Sequence, residues 1–251
     1  MGSREELLAH FYSRDPFDGF TYPDDDVDYQ GLSPDHPVFE SALSYLRPSV
    51  IIEIGTWKGK SAITMAEILK QLGVDGLVIC VDTWLGSPEH CMSPEKHPTQ
   101  PEHYASLRHR NGFPRLYDTF MANVARKGMQ NFIIPLPNTS DNAFEMFRRI
   151  NLTADFVYID AAHEYECVLR DMNNSWEILR SGGILVLDDY IKWSGVTRAI
   201  DDFAAKVASP VYGEYGKAAI GKDVDAGIVW EPLNPGGQGM LSDDEHIVIV
   251  P

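Results

Sequence analysis

Carboxylate side chains stand at or near the ends of several apolar segments, and these residues are the best suited to chemistry. Glu53, Asp82, Asp160 and the adjacent pair Asp188 and Asp189 all follow short runs rich in β-branched residues. Such runs predict buried parallel strands. Because parallel strands open their carboxyl ends onto one crevice, Asp160, Asp188 and Asp189 are expected to lie together.

Three carboxylates that converge without a basic partner repel one another strongly. A hard divalent cation removes this repulsion, and oxygen ligands with open water positions suit magnesium. The alternatives are an acidic rim that holds no ion, or the burial of unpaired carboxylates, which is costly. The sequence therefore predicts that Asp160, Asp188 and Asp189 bind Mg²⁺ or another divalent cation.

His163 lies just past Asp160 and is of the one residue type that titrates near neutral pH. A divalent ion that chelates two adjacent substrate oxygens would lower the pKa of a hydroxyl, and a nearby base would then remove its proton. His163 is the candidate for this base, beside Asp160. Its alternative roles are to orient a metal ligand or to cap the following helix.

A glycine turn follows Glu53 and leads into an amphipathic segment that begins at Ser61. Gly55 and Gly59 permit positive φ and let a ligand touch the backbone, and a helix N-terminus offers free N–H groups to an anion. The G-x-x-x-G spacing departs from the dinucleotide fingerprint. It is also one residue too short for a phosphate-binding loop, although Gly59-Lys60-Ser61 matches the end of that motif. An ordinary strand-to-helix turn stays open.

The next apolar run, Gly76 to Asp82, comes roughly 30 residues after the first, as a βαβ unit predicts. An acid at the end of a second strand normally holds ribose hydroxyls. The order E-I-G-T-W-K-G-x-S, helix, V-D-T-W resembles the class I S-adenosylmethionine (SAM) methyltransferases. Its first motif is similar to that of the metal-dependent catechol and caffeoyl-CoA O-methyltransferases.

This resemblance implies a set of SAM contacts. In the family, the first-strand acid and the turn hold the methionine part, a hydroxyl matching Ser61 caps its carboxylate, and an acid matching Asp82 holds the ribose. The turn after the third strand bonds the adenine edge, which implies Ser140, with helix capping as the alternative. The positions implied are Glu53, Gly55, Thr56, Trp57, Gly59, Ser61, Asp82, Thr83, Ser140 and Asp160.

Longer motifs resemble the macrocin and novobiocin-sugar O-methyltransferases over roughly residues 50–206. These motifs are D-T-W-L-G-S, Y-I-D-A-A-H-E-Y, S-G-G-I-L-V-L-D-D-Y and G-V-T-R-A-I-D-D-F. In that group the strand-end acids bind magnesium, which implies the same metal ligands as the argument from repulsion. The group also carries an acid, proposed as the base, where this sequence has Ala162. Either His163 replaces that acid or the substrate is not a sugar.

The elements that must position these residues form an α/β fold. We predict a doubly wound, Rossmann-like sheet of seven strands, mostly parallel with antiparallel closing strands, as in class I methyltransferases. The predicted closing strands are Val211–Tyr215 and Ala226–Glu231, and His246–Val250 is prone to add a further strand.

We divide the chain into an N-terminal arm or lid (1–36), a methyltransferase domain (37–231) with an insert or lid at about 85–116, and a tail (232–251). The aromatic and acidic arm either covers the ligand face or a neighbouring subunit, or is a solvated arm with aromatic anchors. Trp84 packs near the adenine, lines the entrance to the site, or is a core residue. The insert histidines lack metal-pair spacing and are interpreted as loop residues: His90, His97, His103 and His109.

Composition bounds the class of protein. The 251 residues are 44% hydrophobic and 23% charged, enough for one large α/β domain. No apolar run approaches the ~20 residues of a membrane helix, and the N-terminus has no signal-peptide core. Three cysteines without zinc-site spacing favour the cytoplasm. A formal charge of −16 argues against nucleic acid or an anionic membrane as partner. A homo-oligomer stays open.

The sequence thus predicts a SAM- and metal-dependent O-methyltransferase that acts on a hydroxyl of a small molecule, such as a sugar, polyketide or catechol-like natural product. One alternative is a metal-using hydroxylase, since cephalosporin hydroxylases share this sheet. The others are a SAM-binding protein without activity and, least favoured, an NAD-type binder.

Overall fold

The computed structural model describes residues 4–23, 26–29, 36–91, 101–214, 216–230 and 248–250. Within these residues, eight strands form one sheet. In chain order they are β1 Val50–Ile54, β2 Leu77–Asp82, β3 Ile133–Pro137, β4 Ala154–Ile159, β5 Leu179–Leu187, β6 Val211–Glu214, β7 Lys217–Gly221 and β8 Val248–Val250. Across the sheet their order is β3-β2-β1-β4-β5-β7-β6-β8. The first five strands are parallel, and the last three pair antiparallel.

Nine α-helices lie in the described part of the chain. They are α1 Arg4–Phe11, α2 Pro37–Leu46, α3 Lys60–Gln71, α4 Pro88–Cys91, α5 Pro101–Ser106, α6 Leu116–Lys127, α7 Ser140–Arg149, α8 Tyr165–Ile178 and α9 Ser194–Val207. A 3-10 helix at Ala226–Trp230 follows β7. Of the helices described, none combines the length and the apolar character needed to cross a bilayer.

The strand order reverses between β1 and β4. From β1 the chain moves outward to β2 and β3, and it then returns to place β4 on the other side of β1. In open α/β sheets, ligands bind outside the carboxyl ends of the strands at such a switch point. The glycine turn after β1 and the acids after β4 and β5 all lie at this edge, so the fold confirms the predicted crevice.

Helices cover both faces of the sheet, which explains why its parallel strands are apolar throughout. All five residues of β1 are buried, and alternate ones enter two different core clusters. One cluster includes α7, α8 and α9, for example through Phe144, Met172 and Phe203. The other includes α2, α3 and α6, for example through Phe39 and Phe120.

The N-terminal arm is anchored at the β3 edge of the sheet. Leu8 of α1 is buried in the first cluster, and the Tyr12 hydroxyl donates a hydrogen bond to the Pro135 carbonyl of β3 at 2.6 Å. Further along, Phe17 and Phe20 pack against the second cluster. The arm therefore passes from one face to the other and covers an edge that could otherwise pair with another chain.

The closing region differs in part from the prediction. The predicted strand Val211–Tyr215 corresponds to β6, with Tyr215 outside the described residues. The predicted strand at Ala226–Glu231 is wrong, because Ala226–Trp230 form the 3-10 helix, and Glu231 is not among the described residues. The second closing strand is instead β7. Of the tail segment, Val248–Val250 pair with β6 as an added eighth strand.

Candidate active site

The turn after β1 lies directly against the loop after β4. Gly55 has φ +85°, and a Cβ added to it would come within 2.0 Å of the Asp160 carbonyl oxygen. Gly59 has φ +83° and begins α3, with the ring of Phe120 2.6 Å from an added Cβ. Any side chain at Gly55 would therefore separate the ends of β1 and β4, which explains why the turn needs glycine.

Asp82 holds this turn with its carboxylate. Its Oδ2 accepts the backbone N–H groups of Thr56 at 2.9 Å and Trp57 at 2.8 Å. Its Oδ1 accepts the N–H of Trp84 at 2.7 Å. Burial raises the pKa of Asp82, although these hydrogen bonds lower it in part. The contacts described are structural ones, and the ribose contact implied for Asp82 and its exposed neighbour Thr83 stays a prediction.

Glu53 is fully buried in β1 beneath the turn. The Ser61 hydroxyl donates a hydrogen bond to its Oε1, whereas Oε2 has no hydrogen-bond partner among the described residues. Burial, together with the nearby charges of Asp160 and Asp82, raises the pKa of Glu53 to about 8 against the lowering effect of the Ser61 and Thr56 hydroxyls. A buried, unpartnered carboxyl oxygen fits a ligand that brings a cationic or hydroxyl group.

Ser140 and Trp84 are both engaged within the protein. The Ser140 hydroxyl donates to Asp171 Oδ1 of α8 at 2.7 Å, and it is Thr139 whose side chain caps α7. The adenine contact of Ser140 stays a prediction. Trp84 is 2% exposed, and its indole donates to the Trp57 carbonyl at 2.7 Å. Of the interpretations of Trp84, its burial in a core cluster agrees with that of a core residue.

The three rim acids are brought together as expected. Asp160 follows β4, and Asp188 and Asp189 follow β5. The Tyr158 hydroxyl lies 3.3 Å from Asp160 Oδ2 and 2.9 Å from Asp188 Oδ2. The Asp189 N–H donates to Asp188 Oδ1 at 2.8 Å. Tyrosine thus joins the two strand ends through one hydroxyl.

Basic side chains accompany two of these acids, so the premise of an unpaired carboxylate cluster is wrong. Lys217 of β7 is fully buried, and its Nζ lies 2.6 Å from Asp188 Oδ2. His163 Nε2 lies 3.0 Å from Asp189 Oδ2, and Lys192 Nζ lies 3.5 Å from Asp189 Oδ1. The sequence analysis missed Lys217 because it did not predict β7. A lysine within an apolar run was the available signal, since a buried lysine requires a partner.

The environment separates the pKa values of two rim acids. Burial, together with the Asp188 carboxylate, raises the pKa of Asp160 to about 7, although Lys217 opposes this. Burial also raises the pKa of Asp189, but the hydrogen bond and charge of His163 and the charge of Lys192 outweigh it, and this pKa is lowered. Near neutral pH, Asp189 is therefore ionised while Asp160 can exchange a proton.

These acids do not fit a divalent ion as they are arranged. Asp188 already accepts two hydrogen bonds at Oδ2 and one at Oδ1, which uses three of about four acceptor positions. Asp189 is bonded to His163 and Lys192. Across the ranges described, no group of three or more His, Cys, Asp or Glu side chains could hold a metal ion. The predicted metal ligation thus lacks support from this geometry.

The insert histidines have other contacts where they are described. The His90 ring stacks on Trp57 with centroids 4.5 Å apart, and its Nδ1 accepts the Ser87 N–H at 3.1 Å. His109 lies beside the Tyr104 ring at 5.1 Å. His97 and the His103 side chain lie outside the described part. The interpretation as loop histidines is wrong for His90, which lies on α4, and for His103, which lies on α5.

An apolar, strained segment borders the rim acids. The Trp193 ring stacks on His163 with centroids 4.5 Å apart and planes 4° apart, and it is 51% exposed. Ile191 is 65% exposed and has φ +63°, an outlier for a β-branched residue. Strain of this kind clusters at functional sites. Sequence reasoning missed both residues because surface position and φ depend on the folded loop.

Comparison with known proteins agrees with this architecture. The model of a family described as a methyltransferase domain matches residues 52–190, more than half of the chain. The chain therefore belongs to this family of methyltransferase domains. The uncharacterized protein R132 of Acanthamoeba polyphaga mimivirus is 24% identical over 176 residues. That match covers 68% of this chain and 66% of the viral protein, just under two thirds of its length.

Solved structures share the fold. An O-methyltransferase from Bacillus cereus in complex with SAH matches with TM-score 0.55 and 15% identity, over 86% of this chain and 100% of that one. The O-methyltransferase NovP matches with TM-score 0.54 and 17% identity, over 76% and 79%. TomG from Streptomyces achromogenes, in complex with SAM, matches with TM-score 0.55 and 14% identity, over 88% of this chain and 91% of that one. The predicted class I methyltransferase fold is confirmed.

Proposed function

We propose that this chain transfers the methyl group of SAM to a hydroxyl oxygen of a small molecule. The observation that carries the proposal is the unpartnered, buried oxygen of Glu53 beneath a glycine turn at the switch point of the sheet. Membership of a methyltransferase family supports it. The fold neighbours support it further, since three are named O-methyltransferases and two of those are in complex with SAH or SAM.

The amino group of SAM is the natural partner for Glu53, because an ammonium placed there would favour the ionised carboxylate. The backbone of Gly55, Thr56, Trp57 and Gly59 would border the methionine part, with Ser61, Asp82 and Thr83 close by. Ser140 keeps its proposed adenine contact only if its hydroxyl leaves Asp171. When bound, SAM supplies a sulfonium-activated methyl group.

The chain's own task is to accept the hydroxyl proton as the oxygen–methyl bond forms and the sulfur–methyl bond breaks. His163 is oriented for this by Asp189 at 3.0 Å and by the Trp193 ring. Asp160 is the second candidate, since its pKa of about 7 lets it take a proton at neutral pH. Exposed Trp193 and Ile191 would give the acceptor an apolar surface beside these groups.

The finer part of the proposal is the acceptor class, and a dependence on a metal stays a prediction that the arrangement of the rim acids does not favour. A sugar, polyketide or catechol-like natural product, methylated in the cytoplasm, remains the hypothesis. A dependence on Mg²⁺ requires the ion to take Asp188 from Lys217 and Asp189 from His163. Treatment with a chelator tests this part, and turnover unchanged by the chelator would reject it.

Calorimetry with SAH tests the cofactor half without a known acceptor. We expect wild-type protein to bind SAH and Glu53→Gln to bind it at least about tenfold more weakly, since a charged hydrogen bond is worth ~1.5–3 kcal/mol. Glu67→Gln, at a half-buried surface position of α3, is the matched control and should bind as wild type does. Binding of NAD in place of SAH would sink the proposal.

Transfer of labelled methyl groups to a panel of hydroxylated acceptors tests the reaction itself. A methylated product separates a methyltransferase from a hydroxylase on the same fold. SAH binding without methylation of any acceptor class would favour a non-catalytic SAM-binding protein. With an acceptor in hand, His163→Ala should lower kcat by about 10²–10⁴-fold if His163 is the base.

A further inference from the structure

Lys217 is a fully buried cation that lies beside the rim acids. Its side chain is fully buried, and its Nζ donates to Asp188 Oδ2 at 2.6 Å and to the Tyr158 hydroxyl at 2.8 Å. The same ammonium lies over the rings of Tyr158 at 4.9 Å and Phe39 at 5.6 Å. Such contacts satisfy a buried charge with one carboxylate, one hydroxyl and two aromatic faces.

The sheet fixes this ion pair in place. β5 and β7 pair antiparallel with Leu187 opposite Ala218, so the next residues along each strand, Asp188 and Lys217, lie side by side. Lys217 has β5 on one side and β6 on the other. Removing its ammonium from Asp188 would expose a charge within the core or unpair a central strand, and both changes are costly.

This arrangement conflicts with a divalent ion at the same acids. The lysine and the tyrosine fill both acceptor positions of Asp188 Oδ2. A doubly charged ion beside Asp188 would also meet the repulsion of a fixed ammonium in a medium that screens poorly. Asp189 is covered separately by His163 and Lys192. Lys217 and Lys192 thus already supply positive charge to Asp188 and Asp189.

We propose that Lys217 takes the place of the divalent cation, so that methyl transfer in this chain proceeds without a metal. Lys217 is a positioning residue in this role: it neutralises Asp188, fixes the Tyr158 hydroxyl between Asp188 and Asp160, and touches neither donor nor acceptor. This role rests on the proposed methyltransferase function, and it specifies which group neutralises the negative charge of the rim acids.

The test compares two lysines of the same hairpin. Lys217→Met removes the ammonium and keeps a side chain of similar length. Lys222→Met is the matched control, because Lys222 Nζ also bonds inside the protein, to the carbonyls of Trp176 at 2.6 Å and Leu179 at 2.7 Å, away from the rim. The readouts are Mn²⁺ binding by electron paramagnetic resonance, Tm with and without Mn²⁺, and SAH affinity by calorimetry.

Wild type and Lys222→Met are expected to show no stoichiometric Mn²⁺ binding and no Mn²⁺-dependent rise in Tm. Lys217→Met should gain Mn²⁺ binding by about tenfold or more, since repulsion by a unit charge is lost, and Mn²⁺ should raise its Tm. Tight Mn²⁺ binding by wild type that disappears in Asp160→Asn would overturn the inference. So would a Lys217→Met protein that binds Mn²⁺ no better than wild type does.

If Lys217→Met does not fold, the wild-type measurement still decides, together with methyl transfer before and after chelation. Unchanged transfer supports the role of Lys217, and transfer lost on chelation and restored by Mg²⁺ rejects it. Failure of the proposed function is recognised separately, since wild-type protein would then bind no SAH, or bind it without methylating any acceptor, whatever its behaviour toward Mn²⁺.

Discussion

The two halves of the candidate site hold their acids in different ways. On the β1–β2 side, Glu53 and Asp82 are held by a hydroxyl and by backbone N–H groups, which carry no net charge. On the β4–β5 side, Asp188 and Asp189 are held by lysine and histidine side chains. The first half can therefore still attract a cation, whereas in the second half Lys217 and Lys192 already supply positive charge to Asp188 and Asp189.

This difference suits a methyl donor that carries an ammonium and a sulfonium. A cationic ligand is drawn to the half whose acids lack cationic partners, and a neutral hydroxyl compound can occupy the half whose charges are balanced. Under the proposed function, this difference predicts which side each substrate takes. Substitutions in either set of partners test that prediction.

The largest effect is expected on the stability of the protein, from a change on the β4–β5 side. Lys217→Met leaves the buried carboxylate of Asp188 without its cation, and breaking a buried pair from one side costs about 3–5 kcal/mol. The double variant Lys217→Met/Asp188→Asn should lose clearly less stability than the sum of the losses in the two single variants. Urea denaturation measures this, and strictly additive losses would show that the pair is not coupled.

A somewhat smaller loss of stability is expected on the β1–β2 side. Asp82→Ala removes the acceptor of three backbone N–H groups, and the free energy of unfolding should fall by about 3 kcal/mol, at ~1 kcal/mol or more for each. Asp75→Ala, at an exposed acid in the turn before β2, should change stability by less than about 0.5 kcal/mol. If both variants lost the same free energy of unfolding, the hydrogen bonds of Asp82 would not be what stabilises the turn.

Glu53 should make stability depend on pH in a direction that identifies it. Its pKa is raised to about 8 in the folded protein from the ordinary glutamate value of 4.5, so the unfolded chain loses the proton first. The free energy of unfolding should fall as pH rises from about 4.5 to about 8 and then level off. Relative to wild type, Glu53→Gln should gain stability over this range. A constant difference between the two proteins would contradict the assignment.

The smallest effect concerns the orientation of His163. Trp193→Ala removes the ring that stacks on His163, and kcat should fall several-fold, as a stacking energy of about 0.5–1.5 kcal/mol implies. Trp193→Phe should restore most of the loss. The pH profile of kcat is the decisive readout, since misplacing the base should shift it. A lower kcat with an unchanged profile would indicate a role in acceptor binding alone.

The sequence predicted the parallel half of the fold because its strands are uninterrupted apolar runs followed by acids. β7 was not predicted because its sequence, Lys217-Ala-Ala-Ile-Gly, is short and rich in alanine, which has little strand propensity. The apolar run at Ala226–Trp230 looked like a strand, yet it closes into a 3-10 helix. There Asp225 accepts the Gly227 N–H at 2.9 Å, and Gly227 lies against the Tyr212 ring.

Within the site, residue types and strand ends could be foreseen, but their partners could not. Convergence of Asp160 with Asp188 follows from parallel strand ends, which the chain order implies. The pairing of Asp188 with Lys217 depends on which antiparallel strand returns beside β5, and no local pattern encodes that choice. A convergence of acids in sequence therefore indicates a charged crevice, and only the fold reveals the counter-charge.

The close approach of Gly55 to the Asp160 carbonyl oxygen has a consequence for how the site tolerates change. It holds the ends of β1 and β4 at the distance of neighbouring strands, about 4.8 Å. Loops outside this contact can then vary in length and composition without moving the two strand ends apart.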